Sequence, residues 1–271
     1  FVIDNAIEVL RSHPDWLLQI ARLLAQRVKE TTAQLAAGRG DDDAGRIAAA
    51  RFDYDGDGLA EEQLLATPYA QARRWVDDAV ARSQVEKDVF EPLAMSVATV
   101  DAAGVPNVRT VLMRFLDERG PGFVTALTSA KGREIAANPV MAVALTWPPM
   151  YRAIRFRGRA VMVDRAEVLD YWQSRPWASR ISAWTSQQSE PVGSRTDLEE
   201  AYARRAAEFP DTGAESDVPV PDFWGGYRVV PDEVEFWAGR RNRLHDRLVF
   251  TRVGDGDLGD AASWSVSRRQ P

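Results

Sequence analysis

From residue 93 onward the apolar residues change period. The stretches "LAMSVATVD" (93–101), "VRTVLMRFLD" (108–117), "VMAVALTW" (140–147) and "AIRFRGRAVMV" (153–163) are short apolar or alternating runs, separated by turn residues such as "DAAG" and "ERGPG". Alternation with a period of two puts successive side chains on opposite faces, so these runs predict antiparallel strands with one buried face. Further strands are predicted at "GYRVV", "EVEFWA", "RLVFTR" and "WSVS". Helical stretches are predicted at 68–83, where Thr67 and Pro68 supply an N-cap and first turn, and near 129–138, 166–174, 177–186 and 196–209. Strand and helix do not alternate regularly, which favours an α+β, mainly β barrel with peripheral helices over a doubly wound sheet.

Upstream, "SHPDWLLQIARLLAQRVKETTAQL" (12–35) places Leu17, Ala21, Leu24, Val28 and Leu35 on one helical stripe, and "AGRGDDDAGR" (37–46) reads as a linker. Residues 1–48 are therefore expected to form a helical extension, and 49–271 the barrel domain. The extension is weakly similar to the closing helices of cyclic-nucleotide-binding domains, but it carries no nucleotide pocket, and a packing or dimerisation helix is the preferred reading. "DYDGDG" (53–58) has the opening spacing of a calcium loop. Its twelfth position is Leu64 where a bidentate Glu is required, so a polar turn is expected.

Composition narrows the chemistry. The 271 residues hold no Cys and two His, so disulfides and thiolate sites are excluded and no metal centre is expected. A net charge of -6 argues against nucleic acid as a partner. No apolar run has the length of a membrane span and the first residues lack a secretory layout, so no membrane association and a cytoplasmic location are expected. Against this acidic background "RRNRLHDR" (240–247) concentrates four Arg and one His, a local basic site suited to a small anion.

Three segments could hold such an anion. In "RTVLMR" (109–114) a strand would send Arg109 and Arg114 to opposite faces. In "YWQSRPWASRISAWTSQQS" (171–189), Tyr171, Arg175 and Ser179 recur every fourth residue and would share a helical face if Pro176 is tolerated near a helix start. In 240–247 a strand would project Arg243, His245 and Arg247 to one side. Each Arg could equally be solvated or paired with a surface carboxylate. Residue types and spacing alone lead to a β-barrel domain with an anion site.

The motif "EFWAGRRNRLHDR" (235–247), together with "RTVLMR", "SAKGREIAANP", "SRPWASRISAWTSQQS", "VPDFWGGYRV" and the terminal "RRQP", resembles the pyridoxamine 5'-phosphate oxidase family, collinearly from about residue 51 to the end. The resemblance implies an antiparallel split β-barrel homodimer with FMN at the subunit interface, and oxidation of a phosphorylated B6 vitamer with O2 as acceptor. It assigns Arg109, Val111, Leu112, Thr125, Ser129 and Lys131 to the flavin, with Arg109 and Lys131 on its phosphate and Arg114 bordering both ligands. Gln188, Ser189, Trp237 and Arg247 would complete the flavin site. Arg114, Tyr171, Arg175 and Ser179 would grip the vitamin phosphate. Arg243 and His245 would cover the pyridine ring at the catalytic position, His245 as an orienting group.

The chain departs from the family pattern at several positions. Arg114 stands where lysine is usual, Val124 for tyrosine, Ala130 for arginine, and Ala153 and Ala238 for glutamines. Loss of the amide at 153 implies weaker or differently tuned FMN binding. The alternatives are a related split-barrel flavin oxidase of the phenazine-biosynthesis type and a non-catalytic module that binds flavin or pyridoxal phosphate.

Overall fold

The computed structural model describes residues 53–271, so the helix expected over 12–35, the linker at 37–46 and the domain boundary after residue 48 lie outside the described residues. Among those residues the strands are β1 (Ala94–Val100), β2 (Pro106–Leu112), β3 (Phe115–Asp117), β4 (Gly120–Ala126), β5 (Val140–Trp147), β6 (Arg152–Met162), β7 (Trp224–Ala238), β8 (Asp246–Arg252) and β9 (Trp264–Arg268). They pair antiparallel in the order β2-β1-β5-β6-β7-β4-β3, with β8 on β7 and β9 on β8. The helices are α1 (Pro68–Val85), α2 (Ala130–Ala137), α3 (Arg165–Ser174), α4 (Trp177–Thr185) and α5 (Arg195–Glu208).

The ends of the sheet explain its curvature. β2 and β3 terminate the strand order yet are consecutive in sequence, so the sheet must roll until its two edges meet. The seam is Met113–Arg114, where Met113 N–H donates to Leu93 O (2.9 Å) and Arg114 N–H to Gly122 O (2.8 Å). "VRTVLMRFLD" is therefore two strands with a bend, not one. This split barrel encloses Met95, Phe123, Leu145, Trp147, Ile154, Phe156, Phe236, Leu248 and Phe250, all fully buried, with α1 adding Trp75.

The two runs expected at "GYRVV" and "EVEFWA" are one strand, β7, continuous through Pro231. Pro231 lacks an N–H and is accommodated because the ladder with β6 shifts register at Arg157/Gly158. A side chain at Gly158 would place its Cβ 2.2 Å from Val230 O, so the bulge requires glycine. The first half of β7 pairs with β4 and the second half with β8.

A second apolar cluster, built on Val168, Trp172, Ile181 and Trp224, fixes α3 and α4 beside the first half of β7. The chain breaks at Pro176 between the two expected helices, so Tyr171, Arg175 and Ser179 do not share one helical face. Arg175 takes an extended conformation (φ -76°, ψ 140°), as a residue preceding proline prefers, and α4 restarts after Pro176.

Candidate active site

The bend at Met113–Arg114 brings the start of α2, the end of α3 and the segment after α4 around one cleft of about 570 Å³. Arg109, Val111, Leu112 and Arg114 line it from β2 and the seam, contrary to the expectation that the two arginines face opposite ways. The strand ends at Leu112, so alternation does not extend to Arg114. Thr125 and Lys131 line the floor, Tyr171 and Arg175 one wall, and Gln188 and Ser189 the rim. Ser189 has φ 79°, a left-handed conformation that costs a non-glycine residue energy and that recurs at binding sites.

Two cationic centres in this cleft differ from the other charged groups around them. At the first, Lys131 is 6% exposed and its Nζ donates to Gln188 Oε1 (2.7 Å), Thr125 Oγ1 (3.2 Å) and Ser129 Oγ (3.4 Å), all neutral. Burial, reinforced by the Arg109 charge, pulls its pKa down to about 8. Ser129 caps α2 by accepting from Gly132 N–H, so the ammonium stands at a helix N-terminus, where backbone N–H groups also favour negative charge. Arg109 is different: its guanidinium pairs with Glu134 (2.7 Å) and bonds Thr99 and Val97 O.

The second centre surrounds Tyr171. Arg114 and Arg175 approach its ring with their guanidinium carbons 5.6 and 5.8 Å from the centroid. Among the described residues neither has a carboxylate within ion-pair range. Arg175 is caged by Trp172 and Trp224, donates to the Ser179 backbone O (2.6 Å), and has a buried Nε without a partner among the described residues. Its pKa is lowered, first by burial, and the neighbouring Arg114 and Arg180 charges lower it further. Ser179 is thus brought to Arg175 through its backbone and does not line the cleft.

Trp237, Arg243, His245 and Arg247 are not in this cleft. Thr125 pairs with Gly225 near the start of β7, whereas Trp237 lies twelve residues further along it. At about 3.3 Å per residue that is up to roughly 40 Å of strand. The expectation that Arg243, His245 and Arg247 share a strand face is corrected. β8 begins only at Asp246, and Arg241–Arg243 forms a 3-10 turn with Asn242 (φ 60°) and Arg243 (φ 64°) left-handed, because residues 239–245 must reverse the chain between β7 and β8.

In this loop the carboxylate-pairing alternative holds for two of the arginines. Arg240 pairs with Asp246, and Arg241 with Asp55. Asp246 also binds Arg268 and accepts from Leu59 N–H (2.9 Å). Arg243 instead stacks over Tyr54, its guanidinium carbon 5.4 Å from the ring centroid. His245 packs against Tyr54 and Trp237 with centroids 5.0 and 4.7 Å away, and its Nδ1 accepts from Arg240 N–H (3.0 Å). Burial, aided by the Arg243 charge, lowers its pKa, so the imidazole is neutral at pH 7, and its Nε2–H has no acceptor among the described residues. Tyr54, Asp246 and Glu134 were missed in the sequence reading. "DYDGDG" is the strap over this loop: it contributes Tyr54 and Asp55, and Gly58 (φ 75°) leaves room for Arg240 and Asp246.

Comparison with known proteins identifies the family. Residues 81–206 match the family model for pyridoxamine 5'-phosphate oxidase, and residues 224–271 match the pyridoxine 5'-phosphate oxidase C-terminal dimerisation region. The pyridoxine/pyridoxamine 5'-phosphate oxidase of Kineococcus radiotolerans is 46% identical over 232 residues, covering 85% of this chain and 100% of that protein. The chain belongs to the pyridoxamine 5'-phosphate oxidase family. Another member, from Pseudomonas entomophila, is 44% identical over 225 residues, 83% of this chain and 98% of its own. Among solved structures, PhzG from Burkholderia lata in complex with tetrahydrophenazine-1-carboxylic acid superposes with a TM-score of 0.68 at 29% identity, covering 80% of this chain and 99% of its own. A pyridoxamine 5'-phosphate oxidase-related, FMN-binding protein from Nostoc punctiforme shares the fold (TM-score 0.57, 18% identity, covering 77% of this chain and 100% of its own).

Proposed function

We propose that this family member oxidises pyridoxamine or pyridoxine 5'-phosphate to pyridoxal 5'-phosphate, using FMN and O2 and releasing hydrogen peroxide, as a homodimer. The observation that carries the proposal is a pair of cationic centres in one cleft, Lys131 at the α2 N-terminus and Arg114 with Arg175 around Tyr171, neither ion-paired to a carboxylate among the described residues. Two phosphate esters held side by side need two such sets of donors. The cleft's volume lies within the range of ligand and cofactor sites.

The flavin fits the first centre. Lys131, Ser129, Thr125 and Gln188 would hold its phosphate end, with Arg109 held at the cleft by Glu134, while Val111, Leu112 and Ser189 border the ring. Bound FMN supplies hydride acceptance and reoxidation by oxygen. Arg114, Tyr171 and Arg175 bind and orient the vitamin phosphate, with Ser179 bracing Arg175. Trp237, near the far end of β7, and Arg243, His245 and Arg247, in the loop and strand that follow it, would close the partner's cleft. The matched C-terminal dimerisation region supports that arrangement. His245, neutral and held by Arg240 and Tyr54, orients the pyridine ring by donating from Nε2, and Arg243 covers it.

The likeness to PhzG supports a second reading, oxidation of another ring substrate in the same cleft. A visible spectrum of the purified protein, followed by pyridoxamine 5'-phosphate in air, separates the two. A yellow protein that yields aldehyde and peroxide supports the first reading, and a yellow protein inert to this compound the second. Arg243→Ala is expected to impair oxidation much more than flavin retention; equal loss of both would mean that its role is misassigned.

A further inference from the structure

We propose that Glu235 is a positioning residue, whose buried carboxylate fixes the Arg247 guanidinium in the one orientation that can meet a flavin held by the partner's cleft. The inference rests on the proposed role of Arg247 at that flavin. Register sets the geometry: Trp237 pairs across to Ala153 on β6 and to Arg247 on β8, so these three residues form one rung. Glu235 lies two residues before Trp237 on the same face and pairs directly with Arg155. Its side chain is 6% exposed.

A carboxylate this buried is costly unless it is fully paired, and Glu235 is paired on both oxygens. Oε1 accepts from Arg247 Nε (3.0 Å); Oε2 accepts from Arg247 Nη2 (2.8 Å) and Arg155 Nη2 (2.6 Å). The fork on Arg247 is therefore side-on and bidentate, which fixes the guanidinium plane and not only its distance. The chain end adds a third constraint: Arg247 Nη1 donates to Gln270 O (2.9 Å), while Arg269 N–H donates to Arg247 O (2.9 Å). A guanidinium has five N–H groups, and these contacts occupy three. One N–H remains on each terminal nitrogen, in a plane set by Glu235. An arginine pre-ordered in this way loses less freedom on binding than a free one.

The test measures FMN binding to the full-length apoprotein by flavin fluorescence quenching, with visible circular dichroism of the bound flavin and sedimentation to verify the dimer. Glu235→Gln is expected to weaken FMN binding about tenfold and to change the dichroic band while the dimer persists. Arg247→Ala is expected to do the same, and Glu235→Gln combined with Arg247→Ala to be no weaker than Arg247→Ala alone within about twofold, since the first residue acts through the second. Should Glu235→Gln not fold, Glu235→Asp, which keeps the charge but withdraws it by one methylene, carries the same comparison. An unchanged FMN affinity in a Glu235 variant that merely melts earlier, or fully additive losses in the double variant, would overturn the inference alone. Wild-type FMN affinity in Arg247→Ala would overturn the role of Arg247 and the inference with it.

Discussion

Among the described residues, Lys131 and Arg114 carry charge into the cleft with no carboxylate in ion-pair range, and this makes each a sharp test. Because the Lys131 pKa is lowered to about 8, the fold penalises its ammonium at lower pH. Its contribution to apoprotein stability is therefore lost as pH falls through 8 and recovered as pH rises toward the ordinary lysine value. Chemical denaturation of the apoprotein against a Lys131→Met control is expected to show a gain between about pH 8 and 10 that the control lacks. FMN binding should have the opposite slope, falling by up to about tenfold per pH unit above pH 8, because the phosphate prefers the ammonium. Arg114 is exposed and makes no ion pair among the described residues, so Arg114→Ala is expected to lower kcat/KM for pyridoxamine 5'-phosphate roughly 10- to 100-fold, with little change in Tm or FMN content. Ala153→Gln restores an amide on the Trp237 rung and is expected to tighten FMN binding several-fold, about 1 kcal/mol, measured by the same quenching titration.

Individual strands and helices were largely legible, and the exceptions have local causes. Period-two runs marked β1, β5, β6 and β8, and cap and first-turn residues marked α1, because burial on one face and N-terminal chemistry are written in neighbouring residues. The division of "VRTVLMRFLD" was not legible, since it follows from the meeting of two sheet edges far apart in the strand order. Continuity of β7 through Pro231 depends on a bulge in the facing strand, which no reading of β7 alone contains. In the loop 239–245, the period-two reading failed because reversal of the chain takes precedence over alternation, and the strap that shapes the loop arrives from residues 53–59. Gly58→Ala tests that strap. Its Cβ would fall 2.1 Å from Arg240 Nε and 2.3 Å from Asp246 Oδ2, and its φ of 75° disfavours any side chain. A loss of about 1–2 kcal/mol in stability is expected by denaturation, with a larger fall in kcat/KM than in FMN content as Arg240 and Asp246 cease to hold the loop.

For the molecule as a whole, the two halves of the proposed site sit on different parts of one chain. The cleft gathers residues from five segments, which composition and spacing could not assemble; collinear motifs resembling a family did so by analogy, and the carboxylate-free centres supply the physical reason. Their separation from Trp237 along β7 is the reason the proposed function draws on a partner subunit. Mixing two variants tests this directly: Arg114→Ala damages the cleft, and Arg243→Ala the loop that would close the partner's cleft. After denaturation and joint refolding, about half of the dimers should be hybrid, each with one undamaged site, so the mixture should recover about a quarter of the parental wild-type activity although either variant alone is severely impaired. A mixture no more active than the average of the two variants would mean that cleft and loop act within a single chain, and would contradict the shared site.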